Sequence, residues 1–328
     1  MIWLLFAIAS TGTTSSLRGL SAVNDRVAWA SGANGTVLRT GDGGETWKHL
    51  AVPEAAGLDF RDVQAFSTNS AVLMSAGNGA LSRIYTTSDG GAHWKLALKN
   101  EDERKFFDGI AFWDRRRGLL LGDADNGRMT LLRTEDGGTS WKPVAPVNMP
   151  AALEGEGAFA ASGTSISVGR NGRAWFGTGG GASARVFRSN DWGVTWKVSD
   201  TPMRQGADSG IFSVAFWDDL HGVVVGGKHS TPDEAADNIA FTADGGVTWK
   251  APASQRPSGY RSAVIAAAKG KILIVTGTNG TEVSKDGGAT WQPMGTDGFH
   301  ALSLGGETVW ASGNKGAIAV FRPLTHKQ

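Results

Sequence analysis

The chain has 328 residues, 32 basic and 31 acidic, for a net charge of +1, and so lacks the electrostatic footprint of a nucleic-acid binder. Cysteine is absent, which excludes disulfides, thiolate metal sites and cysteine nucleophiles. The 47 glycines, with 13 tryptophans against 2 tyrosines, point to many tight turns, each with a large aromatic beside it.

In chain order, the first ten residues, MIWLLFAIAS, are apolar but too short to span a bilayer and have no basic residues before them. They read as a remnant leader or as a strand. Residues 60–98 then divide into FRDVQAF, AVLMSA, SRIYTTS and WKLAL, separated by NS, GNG and DGG. Short alternating or apolar runs split by such turns read as antiparallel strands. The next unit repeats them as FFDGIAF, RGLLLG, MTLLRTE and WKPVA.

The turn before the fourth strand recurs six times. It reads TGDGGETW at 40–47, TTSDGGAHW at 86–94, TEDGGTSW at 134–141, SNDWGVTW at 189–196, TADGGVTW at 242–249 and SKDGGATW at 284–291. Its aspartates are Asp42, Asp89, Asp136, Asp191, Asp244 and Asp286. Its tryptophans follow five residues later, at Trp47, Trp94, Trp141, Trp196, Trp249 and Trp291. Spacings of 47, 47, 55, 53 and 42 residues mark a repeat of four-stranded blades, an all-β propeller. Each position has structural work. The Asp accepts N–H groups at the corner, the glycines take positive φ, the Ser or Thr bonds the backbone, and the Trp fills space beside the next sheet, its N–H needing a partner. The boxes are therefore expected to be scaffold.

Inner strands are expected to begin near Leu17, Phe60, Phe106, Glu156, Gly210, Tyr260 and Phe299. That makes seven blades in one propeller domain over 1–328. The last has only three strands. Trp3 stands 14 residues before Leu17, close to the 13 between Trp47 and Phe60. Residues 1–10 are thus read as the outer strand that joins three C-terminal strands and closes the ring, which removes a free sheet edge.

The second position of each inner strand should face the channel mouth: Arg18, Arg61, Phe107, Gly157, Ile211, Arg261 and His300. With Asp208 and Tyr260 beside them, these make a partner or ligand face. The carboxylates Asp62, Asp108, Glu154 and Glu156 are the candidates for glycoside hydrolysis, which needs an acid pair at a set separation. GDADNG (122–127) opens like a calcium loop but lacks the later ligands, and the six histidines are scattered, so no metal is expected. No dinucleotide fingerprint precedes a helix, and no cofactor is expected. Trp113 and Trp217, in matching AFWD segments, are expected at turns after inner strands, packed on a loop or offered as an interface anchor.

The boxes resemble the Asp-box of the bacterial neuraminidase repeat. A narrower resemblance runs through 16–47, 111–127 (AFWDRRRGLLLGDADNG), 155–165 (GEGAFAASGTS), 177–196 (GTGGGASARVFRSNDWGVTW) and 209–227 (SGIFSVAFWDDLHGVVVGG). These stretches look like the photosystem II stability/assembly factor group, closest to relatives in non-photosynthetic bacteria often labelled oxidoreductase or glycosyl hydrolase. The resemblance implies a seven-bladed propeller, usually exported, whose photosynthetic relatives assist assembly of a membrane complex. Sialidase chemistry is not expected, since no Arg-Ile-Pro occurs and the only tyrosines are Tyr85 and Tyr260. The reading is a non-catalytic binding or assembly/stability factor acting through the channel mouth, with a glycoside hydrolase as the alternative. It is expected to be extracytoplasmic and monomeric, to have a protein or glycan partner, and to lack nucleic acid and a membrane span.

Overall fold

Apolar runs flanked by turn residues become seven antiparallel sheets in the computed structural model, which describes residues 3–295 and 297–323, with side chains for 8–295 and 297–322. The inner strands of blades 1 to 7 are Leu17–Ala22, Asp59–Ala65, Phe107–Phe112, Ile166–Val168, Ser209–Phe216, Ala263–Ala267 and Ala301–Gly305. Each continues outward through consecutive antiparallel partners. In blade 7 the order runs Ala301–Gly305, Thr308–Ser312, Ile318–Pro323 and then Trp3–Ala9. The register of that last pair runs from Trp3↔Pro323 to Ala9↔Ile318. The N-terminal strand therefore closes the ring, as its spacing implied. The side chain of Trp3 lies outside the described ones.

Second strands such as Ala71–Ala76, Ile272–Gly277 and Thr308–Ser312 are buried at every residue. Both faces of each blade pack on neighbours, so these strands read as apolar runs without alternation. The core is a set of clusters between successive blades. Leu17, Ala28 and Leu38 of blade 1, for example, meet Ala301, Trp310 and Val320 of blade 7.

The box turns share one hydrogen-bond pattern. In the first, the Thr40 hydroxyl donates to Asp42 at 2.7 Å and accepts the Gly44 N–H at 3.1 Å, while Asp42 also accepts the Thr46 N–H at 3.0 Å. Gly43 and Gly44 have φ of 88° and 89°, which non-glycine residues rarely adopt. In the fourth box Trp192 occupies the first glycine position at φ 62°. Its ring lies 3.6 Å from the Arg117 guanidinium and 5.4 Å from Trp113, contacts that offset the strain.

Four expectations need correction. The box Trp fills the space beside the preceding sheet, not the next one: Trp47 meets Trp310 of blade 7 edge-on at 6.1 Å, and Trp94 meets Trp29 of blade 1 in the same way. Only Trp141 and Trp196 pair their N–H, each with a box glycine carbonyl; those of Trp47, Trp94, Trp249 and Trp291 are buried without a partner. Blade 4 does not begin at Glu156. Its inner strand is the short Ile166–Val168, because the glycine-rich stretch before it leaves the sheet. Finally, the fourth strand of blade 5 is reduced to a single bridge, Phe241↔Lys250.

Removing residues 1–10 exposes the Ile318–Pro323 edge. Thermal denaturation should show a midpoint lowered by more than ~5 °C, with self-association in light scattering. An unchanged midpoint and a monodisperse sample would contradict ring closure as a stabilising contact.

Candidate functional site

The inner strands carry a shared irregularity at the mouth end. In blades 1, 2, 3 and 5 the register slips by one between Leu17 and Gly19, Phe60 and Asp62, Phe107 and Gly109, and Ile211 and Ser213. The extra residues are Arg18, Arg61, Asp108 and Phe212. A bulge re-aims the side chain of its unpaired residue, so the same backbone device places two arginines, an aspartate and a phenylalanine at equivalent positions. The sequence-based positions Phe107 and Ile211 were one residue early; both are buried in blade packing. Asp62, one residue past the bulge, turns between blades and accepts the Ile110 N–H of blade 3 at 2.8 Å.

The segment 157–165 then crosses the ring. Arg61 of blade 2 donates to the Ala160 carbonyl at 3.1 Å, Val214 of blade 5 donates to the Thr164 carbonyl at 2.9 Å, and Ser162 donates to the carbonyl of Ser262, which leads into blade 6, at 2.8 Å. Blades 2, 5 and 6 are reached by one nine-residue stretch only if it lies over the axis. Gly163 there abuts the Asp62 carboxylate, leaving no room for a Cβ. Phe159 on the segment stacks on Phe212 at 3.8 Å, and Tyr260 meets Phe212 edge-on at 4.8 Å. The spacing of 55 residues between Asp136 and Asp191, the longest of the series, is the sequence trace of this plug.

Arg18 is partly buried at the mouth and has no hydrogen bond or ion pair among the described residues. Its pKa is lowered by burial and by neighbouring Arg61, and raised back by Asp59 and Tyr260. Arg61 bonds Asp59 at 2.8 Å. Asp59, which the sequence reading passed over, opens the strand of blade 2, two residues before Arg61. His300 is held below its ordinary pKa by burial and by Arg18, and bonds Asn314 at 2.9 Å. Burial raises the Tyr260 hydroxyl. Arg18, Arg61, Tyr260 and His300 thus form one electrostatic neighbourhood.

Other candidates lie elsewhere. Arg261 is fully buried and spent on Glu282, Asn279, Ser258 and the Tyr260 carbonyl. Asp208 is exposed, at φ 60°, and its carbonyl holds His229. Glu156 is buried in an ion pair with Arg185 and accepts from Thr178 and the Leu153 N–H. Glu154 is exposed and apart from that pair. Asp62 and Asp108 are 4% and 1% exposed. Burial lifts Asp62 to about 7 and raises Asp108 well above the carboxylate range, with help from Asp123. None of these four offers an open carboxylate pair. Asp123 accepts the Ala158 N–H, and Asp125 pairs with Arg104, so GDADNG is a hairpin stretch. No group of three metal-ligating side chains is assembled among the described residues.

Neither a protein-family model nor a curated protein matches the sequence. Solved structures do. "YCF48 bound to D1 peptide" is 15% identical, covering 97% of this chain and 96% of that one, with a TM-score of 0.69. YCF48 from Cyanidioschyzon merolae is 18% identical over 98% and 100%, at 0.67. The WD40 propeller domain of Doa1 is 10% identical over 99% and 98%, at 0.62. At these identities the likeness is one of fold, and the chain is a seven-bladed propeller similar to YCF48 and to WD40 propellers.

The buried acids give a pH signature. A carboxyl whose folded pKa is raised holds a proton that the unfolded chain has released, so stability falls as pH rises from about 4 to about 7 for Asp62. Asp62→Asn should match wild type at low pH and exceed it above neutrality by about 2–4 kcal/mol. Urea denaturation across that range checks this, and a difference independent of pH would refute it.

Proposed function

We propose that the protein is a non-catalytic binding module that takes an acidic or carboxylate-ended peptide segment at the mouth around Arg18. The observation that carries this is Arg18 itself, a partly desolvated guanidinium beside a second arginine, with no ion pair or hydrogen bond among the described residues. An unpaired, partly buried charge is costly. A ligand carboxylate would relieve both the desolvation and the repulsion from Arg61, in the bidentate geometry that guanidinium favours. Phe212 and Tyr260 are buried under the plug, and the ring that packs on both and is exposed there is that of His229.

A propeller of this shape is recorded with a peptide bound, which favours a peptide over a glycan at the mouth. An assembly or stability role follows if that segment belongs to a larger complex. The blade resemblance to an exported group supports a place outside the cytoplasm. Hydrolysis is the weaker reading, because Asp62, Asp108 and Glu156 are buried and Glu156 is ion-paired.

The test uses the full chain as bait against the envelope fraction of its own organism. Wild type should retain a partner that an excess of synthetic peptide ending in acidic residues releases. Arg18→Glu, at a bulge with no protein partner to lose, should keep the fold by circular dichroism and bind at least about tenfold more weakly. Equal retention by a folded Arg18→Glu variant would refute the assignment.

A further inference from the structure

The loop at 228–238 borders the mouth and is pinned there. Ser209 pairs with Lys228 at the mouth end of blade 5, so the loop starts at that rim. The Pro232 carbonyl accepts the Tyr260 N–H and the Asn279 amide, both at 2.8 Å, and Glu234 pairs with Arg204 at 3.0 Å. His229 is exposed on this loop, with its ring 6.0 Å from that of Phe212 and 6.4 Å from that of Tyr260. Tyr260 also lies within the field of Arg18, so one tyrosine adjoins both residues.

The Asp208 carbonyl fixes the histidine ring. It accepts the His229 backbone N–H at 3.1 Å and lies 3.0 Å from Nδ1. A carbonyl only accepts, so Nδ1 carries a proton in either charge state. Nε2 has no hydrogen bond among the described residues. It offers a lone pair when the ring is neutral and an N–H when the ring is protonated. Asp208 stands at φ 60°, a strained conformation for a non-glycine residue and of the kind that collects at functional sites. The charges around the ring leave its own state to decide the local sign. Asp237 pairs with Arg256, Arg261 with Glu282, and Asp233 accepts from Asn279. Asp208 and Lys228 have no ion pair among the described residues and oppose one another. The plug at 157–165 carries no titratable side chain.

We infer that His229 is a second, proton-dependent contact of the mouth, which makes it selective for a segment with two carboxylates, one for Arg18 and one for His229. This rests on the peptide reading above. A carboxylate is acceptor-only, so it meets a lone pair at neutral His229 and a donor at the protonated ring. Arg18 supplies the constant part of the binding, because a guanidinium stays charged. An ordinary histidine changes charge between about pH 5 and 8, where the aspartates of a ligand remain ionised. Such a segment should therefore bind more tightly as pH falls.

Fluorescence polarisation of the full chain tests this, with dye-labelled Gly/Ser peptides amidated at the C-terminus. They carry one Asp, or two Asp at spacings of about two to five residues, roughly 7–17 Å in an extended chain. At least one two-Asp peptide should bind about three- to fivefold more tightly at about pH 5.5 than at about pH 8, the scale of an exposed ion pair. A one-Asp peptide should change by less than about twofold. His229→Gln should bind at both pH values as wild type does at the higher one, and His229→Lys as wild type does at the lower one. Both replacements are at an exposed position, and circular dichroism checks their fold. Asp62 and His300 are the other groups near the mouth with shifted titration. A pH effect that survives in folded His229→Gln would belong to them and would overturn the inference. So would two-Asp peptides bound through Arg18 with equal affinity at both pH values, or a His229→Lys variant that still weakens at the higher pH. If no acidic peptide binds below about 5 mM, or Arg18→Glu leaves binding unchanged, the peptide reading fails and this inference with it. Loss of the pH effect alone overturns only the inference.

Discussion

Every blade has two apolar faces and no helix to cover either, so each sheet depends on the sheet beside it. That constraint makes closure of the ring the condition for the rest of the structure. A second strand such as Ala71–Ala76, buried throughout, is stable only when both neighbours are in place. Burial at roughly 25 cal/mol per Å² of apolar surface accumulates at every interface of a closed ring, and an open one would forfeit a whole interface. Using the N-terminal strand as the outer member of the last blade ties the two ends of the chain together and leaves no unpaired stack.

The box turns serve the same constraint from outside. Hydroxyl, carboxylate and amide lock the corner, and the tryptophan five residues on is delivered against the preceding blade. Four of the six indole N–H groups are left unpaired in the interior. Each of these costs free energy in isolation, which edge-on packing on Trp310, Trp29 and Phe216 offsets for Trp47, Trp94 and Trp249. Trp192 takes a glycine position at positive φ and is held there by Arg117 and Trp113.

The inner ends of the blades face a different problem, since polar residues there are drawn toward a narrow axis. The bulge puts Arg18, Arg61, Asp108 and Phe212 at one level, and the plug at 157–165 fills the axis and sorts them. Asp62 and Asp108 end buried, with raised pKa values, whereas Arg18 is only partly buried and makes no hydrogen bond or ion pair among the described residues. The propeller thus carries its arginines at one end of the inner strands and its box turns at the other.

The repeat, the blade number and the closing strand were legible in the amino-acid sequence because they follow from local chemistry. Turn residues at a fixed period, apolar runs of strand length and a tryptophan in register need no long-range information. Which polar residues reach the mouth was decided by tertiary structure. A one-residue bulge shifted the mouth position from Phe107 to Asp108 and from Ile211 to Phe212, and side-chain direction in a strand reverses with every residue. Arg261 and Glu156 looked like mouth residues in the sequence but are consumed by Glu282 and Arg185, partners 21 and 29 residues away. The stretch before Ile166 carried strand-like spacing, yet its glycines let it cross the axis. Pairing across such distances depends on how seven sheets meet around one axis, and no local pattern in the chain encodes that meeting.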